Sequence, residues 1–393
     1  MRLSSRTLDQ TDSPISMAYD LVDLRESDQP VLDLAQAAPQ YPAAEPVVEH
    51  IVRVARDPGG GTYTEVPGLP HLRELFAAEL SRDYHADAGS EGNNAVGPDD
   101  VVITAGCNQA FSVVASALAG PGDEVVLPLP YYFNHDMWLR LNGITPVYLE
   151  PGPDLVPRAA DADSLITPRT RAIVLVTPGN PSGVTVDPAG IAGFAELARR
   201  HDIALILDET YRSFRDTGEP AHRLFGDPDW RRTVVSLHSF SKDFAIPGYR
   251  VGAVVAAPEL NREVCKLLDC VAICAPRIAQ EAAWAGLTHA GAWRAERAHS
   301  IARQRAWFAE AMADRPGGFE LLSCGGFFGW VRHPFAGRST ADVVRELVVK
   351  HDTLVIAGTA FLPDDRRMLR VSVSNAGRAA ITTFAERLTR AGA

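Results

Sequence analysis

Between about residues 100 and 260 the chain alternates short, nearly unbroken apolar runs with stretches of helical periodicity. The runs 101–104, 124–129, 171–177, 203–207, 233–237 and 251–256 are rich in Val, Ile, Leu and Ala, and turn-forming residues bound most of them, which predicts strands. A helix is expected over 109–119. Another follows Val186, where Asp187 is a natural N-cap, Pro188 suits the first helical position, and Ile191, Phe194, Ala195 and Ala198 recur at helical spacing. Strands apolar on both faces and separated by helices predict an α/β fold, with a mainly parallel sheet sandwiched by helices. Such sheets bind ligands beyond the carboxyl ends of their strands.

After about residue 288 the texture changes. Helical segments at 292–313, 340–350 and 376–391 flank strand-like stretches at 319–331, 353–356 and 368–374, which reads as a smaller α+β domain. The first 45 or so residues carry Pro14, Pro30, Pro39, Pro42 and Pro46 with little periodicity, so an extended arm is expected. The resulting division is an arm with part of a small domain (1–46), a large domain (47–287) and a small C-terminal domain (288–393). The polar stretch 90–97 reads as a surface loop.

Composition narrows the function. A length of 393 residues, 46% hydrophobic and 22% charged, suits a globular enzyme of two domains. With 49 acidic against 38 basic residues, the net charge of −11 disfavours nucleic acid or an anionic membrane as partner. No apolar run reaches spanning length, and the first residues lack the apolar core of a secretory signal. Five cysteines without a CxxC pair suit a reducing cytoplasm and argue against disulfides or a structural metal site. Cys265, Cys270 and Cys274 read as buried small hydrophobes.

Chemistry concentrates in Ser239-Phe-Ser241-Lys242-Asp-Phe-Ala-Ile-Pro-Gly-Tyr-Arg250. A lysine just after a buried strand can condense with an aldehyde, while neighbouring hydroxyls and an arginine can hold a phosphate. Asp208, closing the strand 203–207, is an acid at a buried strand end and wants a cationic partner. Thr177-Pro-Gly-Asn180-Pro181-Ser-Gly183 is a tight loop after another strand. Gly106-Cys107-Asn108 joins a strand to a helix, where backbone amides can cradle a phosphate. Pro130 to Trp138 is dense in aromatics, and Arg370 sits in a strand where an arginine wants a bidentate carboxylate.

These motifs, in this order, resemble the fold-type I pyridoxal-phosphate-dependent aminotransferases of class I/II, over roughly residues 33 to 390. The resemblance implies that Lys242 carries pyridoxal 5'-phosphate as a Schiff base and moves the proton of the substrate Cα. It gives Asp208 the ring nitrogen, Asn180 and Tyr211 the ring hydroxyl, and Tyr132 the ring face. Ser239, Ser241, Arg250 and the turn Gly106, Cys107, Asn108 receive the phosphate, and Arg370 the substrate α-carboxylate. Tyr63 resembles the tyrosine that reaches the phosphate of a neighbouring subunit, which implies a homodimer with shared sites. His135 and Trp138 stand open between substrate contact and packing, and Glu209 has no implied role. One departure is Ala37, where the family usually has glycine, so the methyl bears on substrate shape.

The expected activity is transfer of an amino group from an L-amino acid to a 2-oxo acid. A β-lyase and an amino-acid oxidase or hydroxylase are alternatives on the same site. A cofactor-sensing regulator is disfavoured because only some 45 residues without helical periodicity precede the domain and the chain is acidic.

Overall fold

A computed structural model describes residues 1–84, 96–216 and 219–393. Its centre is a seven-stranded sheet built from β1 (Val101–Thr104), β2 (Glu124–Pro128), β3 (Thr145–Leu149), β4 (Thr170–Val176), β5 (Ala204–Asp208), β6 (Val234–Ser239) and β7 (Gly252–Val255), in the order β1-β7-β6-β5-β4-β2-β3. Every neighbouring pair is parallel except the two that include β7. Strand alternation divides the core. Val102, Val174, Ile206, Val235 and Val254 join one apolar cluster, whereas Val101, Ile103, Leu205, Leu207, Val234 and Val255 join another. Each fully buried Leu or Ile contributes about 1.5–3 kcal/mol, so both faces hold helices firmly.

The helix Pro188–Arg200 begins as expected, with the Asp187 side chain accepting from the Gly190 amide at 2.6 Å. The α/β class and the six expected strands are present, with ends shifted by a residue or two. β3 was not expected because Pro146 interrupts it. It lies at the sheet edge, where a missing N–H costs no ladder bond. The helix after β1 spans Cys107–Leu118, starting earlier than its periodicity suggests, with Gly106 at its N-cap and no side chain capping it.

A second, antiparallel sheet contains β8 (Glu320–Gly325), β9 (Phe328–Arg332), β10 (Ile356–Ala357) and β11 (Met368–Ser372), in the order β10-β11-β9-β8. The stretch 319–331 is therefore a hairpin rather than one strand, and 353–356 is split between sheets: Thr353–Leu354 pairs with Leu32–Asp33. The N-terminal arm is partly helical, at Ser5–Leu8 and Pro14–Asp20, against the extended form expected from its prolines; Pro14 itself occupies the first helical turn. The cysteine expectation also needs correction. Cys270 is exposed, and Cys265 and Cys274 are only half-buried. Of the polar stretch 90–97, residues 90–95 lie outside the described residues.

Candidate active site

The carboxyl edge of the large sheet opens into a cavity of about 340 Å³. β1, β2, β4, β5 and β6 all end there, and their last residues and the segments that follow supply Cys107 and Asn108, Tyr132, Asn180, Asp208, and Ser239, Ser241 and Lys242 to its wall. Arg250 reaches the same edge for a topological reason. β7 runs antiparallel, so its amino end at Gly252 pairs with Thr104 and Ser239, the last residues of β1 and β6. Arg370 on β11 and Ala37 complete the wall from the other side.

Asp208 lies on the strand face of Ile206 and is buried. Its carboxylate accepts from His135 Nε2 at 3.3 Å, the Thr210 amide at 3.0 Å and Cys107 Sγ at 3.6 Å. Burial alone would raise its pKa, but the His135 ring and the Thr210 donors outweigh it and hold the group below the ordinary carboxylate value. Burial pushes the Cys107 thiol well above its ordinary value, so it stays a donor. His135 thus touches Asp208 rather than lining the cavity, and its ring stacks on Phe111 with centroids 3.9 Å apart. Trp138 packs against the core and does not line the cavity.

Lys242 Nζ donates to the Ala37 carbonyl at 2.7 Å. Removal from water, reinforced by the Arg250 and Arg370 charges, brings its pKa down to about 8. Arg370 is 2% exposed and sits between two rings, 5.2 Å from Phe328 and 5.0 Å from Phe361. It donates to Asn180 Oδ1 at 3.1 Å and to the Ala35 carbonyl at 2.5 Å, while its Nε has no partner. Burial lowers its pKa to about 10, which leaves it cationic at neutral pH.

The Gly106 turn meets Arg250 directly. Gly106 has φ +86°, and a Cβ there would lie 2.2 Å from Arg250 Nη2. Gly252 is equally tight, since a Cβ would meet the backbone of the same turn at 2.7 Å. Arg250 donates to the Pro247 carbonyl at 2.9 Å and the Ala105 carbonyl at 3.4 Å. Ser239 caps the short helix Phe240–Asp243 by accepting from the Ser241 amide. Tyr132 is pinned by Asn108 Oδ1 at 3.3 Å and Asn134 Nδ2 at 3.1 Å. Tyr211 is buried with its ring against Phe327 and Phe328, and burial raises its pKa.

Two residues stand elsewhere. Tyr63 is 75% exposed and does not line its own chain's cavity. Glu209, given no role by its sequence, is buried on the opposite sheet face from Asp208. There it accepts from Ser236 Oγ at 2.6 Å and His222 Nε2 at 3.2 Å, and also from the Tyr84 hydroxyl. Burial opposes its charge, but His222 and Ser236 hold it far below the ordinary carboxylate value. Strand alternation around Asp208 was the available signal for this placement.

Comparison with known proteins agrees with the geometry. Residues 29–388 match the family model for aminotransferase class I and II. An aromatic aminotransferase of Arabidopsis thaliana is 31% identical over 368 residues, covering 91% of this chain and 88% of that protein. An arginine–pyruvate transaminase of Pseudomonas aeruginosa is 30% identical over 353 residues, covering 88% and 86%. An aspartate aminotransferase from Thermus thermophilus, solved with maleate, has a TM-score of 0.88 at 25% identity and covers 100% of both chains. A match spanning nearly the whole chain, with the cavity at the strand edge where this architecture keeps its ligands, makes this protein a member of the class I and II aminotransferases, a transaminase of fold type I.

Proposed function

We propose that the cavity holds pyridoxal 5'-phosphate on Lys242 and passes an amino group from an L-amino acid to a 2-oxo acid. The observation that carries this reading is the convergence of Lys242, Asp208, Arg250 and Arg370 on one cavity wall. The residues fit the group. A turn too tight for a Cβ faces Arg250, an amine has its pKa lowered to about 8, and Arg370 has an unpartnered buried Nε. When bound, the cofactor withdraws electrons from the substrate Cα.

The chain's residues then divide the work. Asp208, kept ionised by His135 and Thr210, holds a proton on the ring nitrogen. Asn180 and Tyr211 would hold the ring oxygen, and Tyr132 would lie against the ring. Ser239, Ser241, Arg250 and the amides of Gly106, Cys107 and Asn108 bind the phosphate. Arg370 orients the α-carboxylate, and the Lys242 amine moves the Cα proton. Tyr63, exposed in one chain, completes the phosphate site of a second copy in a homodimer. The relatives and solved structure named above are aminotransferases, which favours transamination over the lyase or oxygen-using alternatives.

The pairing of Leu32–Asp33 with Thr353–Leu354 supports assigning the arm (1–46) to the small domain (288–393), with 47–287 as the large one. Five free cysteines support a cytoplasmic enzyme.

The test is cofactor uptake followed by substrate. An amine attacks a carbonyl only when neutral, so a lowered pKa enlarges the reactive fraction near neutrality. Uptake by cofactor-free protein is expected to accelerate as pH rises through about 8 and then level off. Amino acid added without oxo acid is then expected to bleach the cofactor's visible band stoichiometrically and release one oxo acid. A rate flat across that pH range, or ammonia release with the band restored, counts against the proposal. Gly106→Ala is expected to displace the Arg250 guanidinium and weaken cofactor affinity by ~10-fold or more, since charge-assisted phosphate bonds contribute roughly 1.5–3 kcal/mol. Equilibrium dialysis measures it, and wild-type affinity in this variant would remove the phosphate role of that turn.

A further inference from the structure

Asn180 and Tyr211 follow different strands of the large sheet, β4 and β5, yet both of their segments rest on one turn of the second sheet. That turn is Gly326-Phe327, which joins β8 to β9 across the pair Gly325 and Phe328. On the Asn180 side, Ser323 Oγ donates to the Ser182 carbonyl at 2.7 Å, and Gly183 lies directly on Gly325. A Cβ on Gly183 would stand 2.5 Å from the Gly325 amide nitrogen, and one on Gly325 would stand 2.2 Å from the Gly183 carbonyl oxygen. Backbone meets backbone there, with no room for a side chain. Arg370 donates to Asn180 Oδ1, which leaves the Asn180 amide nitrogen as the donor.

On the Tyr211 side, the phenol ring packs against Phe327 and Phe328 with centroids 5.2 Å from each, and Phe214 meets Phe327 at 4.6 Å. With Ile301 these rings form an apolar cluster of their own. Apolar contact is non-directional, so a directional bond has to fix the register. Arg305 supplies it. This residue is 5% exposed on the helix Gly291–Met312, one turn after Ile301. Its Nη1 donates to the Phe214 carbonyl at 3.2 Å and the Gly326 carbonyl at 3.0 Å, and its Nη2 pairs with Asp216. One planar guanidinium thus ties the segment that carries Tyr211 to the turn that holds its ring. The charges that act on Lys242 are those of Arg250 and Arg370, whereas Arg305 faces Asp216 and the Cys324 thiol. The titratable groups facing Tyr211 are Tyr132, Arg370, Asp208 and Cys107.

We infer that the Gly326-Phe327 turn, locked by Arg305, sets where Asn180 and Tyr211 stand, and that Arg305 is a positioning residue for the pair proposed to hold the cofactor's ring oxygen. The inference rests on the cofactor reading above and extends it to a residue that does not line the cavity. Donors on the ring oxygen favour its anionic form, so they lower the pH at which the cofactor's visible band titrates. Loosening either donor raises that midpoint.

The experiment titrates the visible band of cofactor-loaded protein with pH and records the thermal midpoint of each variant. Arg305→Met removes the tie to both carbonyls and is expected to raise the titration midpoint by ~1 unit. Gly325→Ala changes no charge but drives a methyl into Gly183, and is expected to raise it in the same direction. Met312→Ala, further along the same helix, opens a cavity in the core. It is expected to lower the thermal midpoint and leave the titration as in wild type. If either of the first two variants does not fold, Arg305→Lys and Ser323→Ala replace them. The lysine keeps the charge and loses the fork, and the alanine removes only the bond to the Ser182 carbonyl. An unchanged midpoint in the Arg305 variant overturns the inference. A shift in Arg305→Met with none in the glycine or serine variant overturns it too, because lost charge then accounts for the change. An equal shift in Met312→Ala does the same, since general loosening then suffices. Each of these results leaves the cofactor reading standing. Failure of wild type to develop a cofactor band overturns the cofactor reading and the inference together.

Discussion

Lys242→Ala is expected to reduce turnover by ~10⁴-fold or more while the protein still binds the cofactor noncovalently. Among the described residues Lys242 is the only amine on the cavity wall, and its pKa of about 8 makes it both a nucleophile and a base near neutrality. In the proposed roles, its removal would take away the group that shuttles the Cα proton, whereas phosphate binding by Ser239, Ser241 and Arg250 and ring binding by Asp208 would survive. The expected signature has three parts. Single-turnover chemistry collapses, the cofactor band shifts to that of the free aldehyde, and dialysis removes the cofactor more readily than from wild type. A small added amine is expected to restore part of the rate, because it can occupy the vacated space and take the proton. Activity within ten-fold of wild type would falsify the role given to Lys242.

Asp208→Asn carries the second large effect. The substitution keeps the size of the side chain and its place beside His135, Cys107 and Thr210, but removes the charge that all of them stabilise. In the proposed role of Asp208, the ring nitrogen would then have no anion to keep it protonated, and electron withdrawal from Cα would weaken. A loss of ~10²–10⁴-fold in kcat is expected, with a much smaller change in KM for the amino acid, since the α-carboxylate anchor proposed for Arg370 would be untouched. Cofactor affinity should fall modestly. The cofactor's spectrum should also lose the pH response that an ionised Asp208 confers. If KM alone changes, the carboxylate is a packing element and the ring nitrogen is controlled elsewhere.

His135 bears on the same experiment. Its Nε2 is 3.3 Å from Asp208, and its ring is trapped on Phe111, so it acts through the carboxylate as a positioning residue. Its sequence context, inside an aromatic-rich stretch, suggested a substrate contact as readily as packing. The difference is a matter of direction. On the helix Phe133–Leu141, His135 turns inward to the sheet while Phe133 turns to the cavity.

Local pattern made much of the fold legible. The apolar runs that became β1, β2, β4, β5, β6 and β7 are buried on both faces, so they read as continuous hydrophobic strands. The elements that were missed are those whose stability comes from elsewhere. β3 carries a proline and persists because its edge position tolerates it. Leu32–Asp33 and Thr353–Leu354 are too short to register as strands, and exist because distant segments pair. The helix Pro14–Asp20 is too short for periodicity to show, and is held by Tyr19 and the core beneath it.

The sequence by itself determined which chemical groups this protein has to offer: a lysine behind a strand, an acid closing another, a glycine turn before a helix, and an arginine in a late strand. Those are consequences of local chemistry, since strand ends, caps and tight turns impose their own residue preferences. Only the tertiary structure decided how they meet. The antiparallel course of β7 returns Arg250 to the Gly106 turn, strand alternation sends Asp208 into the cavity and Glu209 to the far face, and Phe361 brings Arg370 beside Phe133. These juxtapositions depend on register and packing between segments far apart in the chain, and no local preference encodes them.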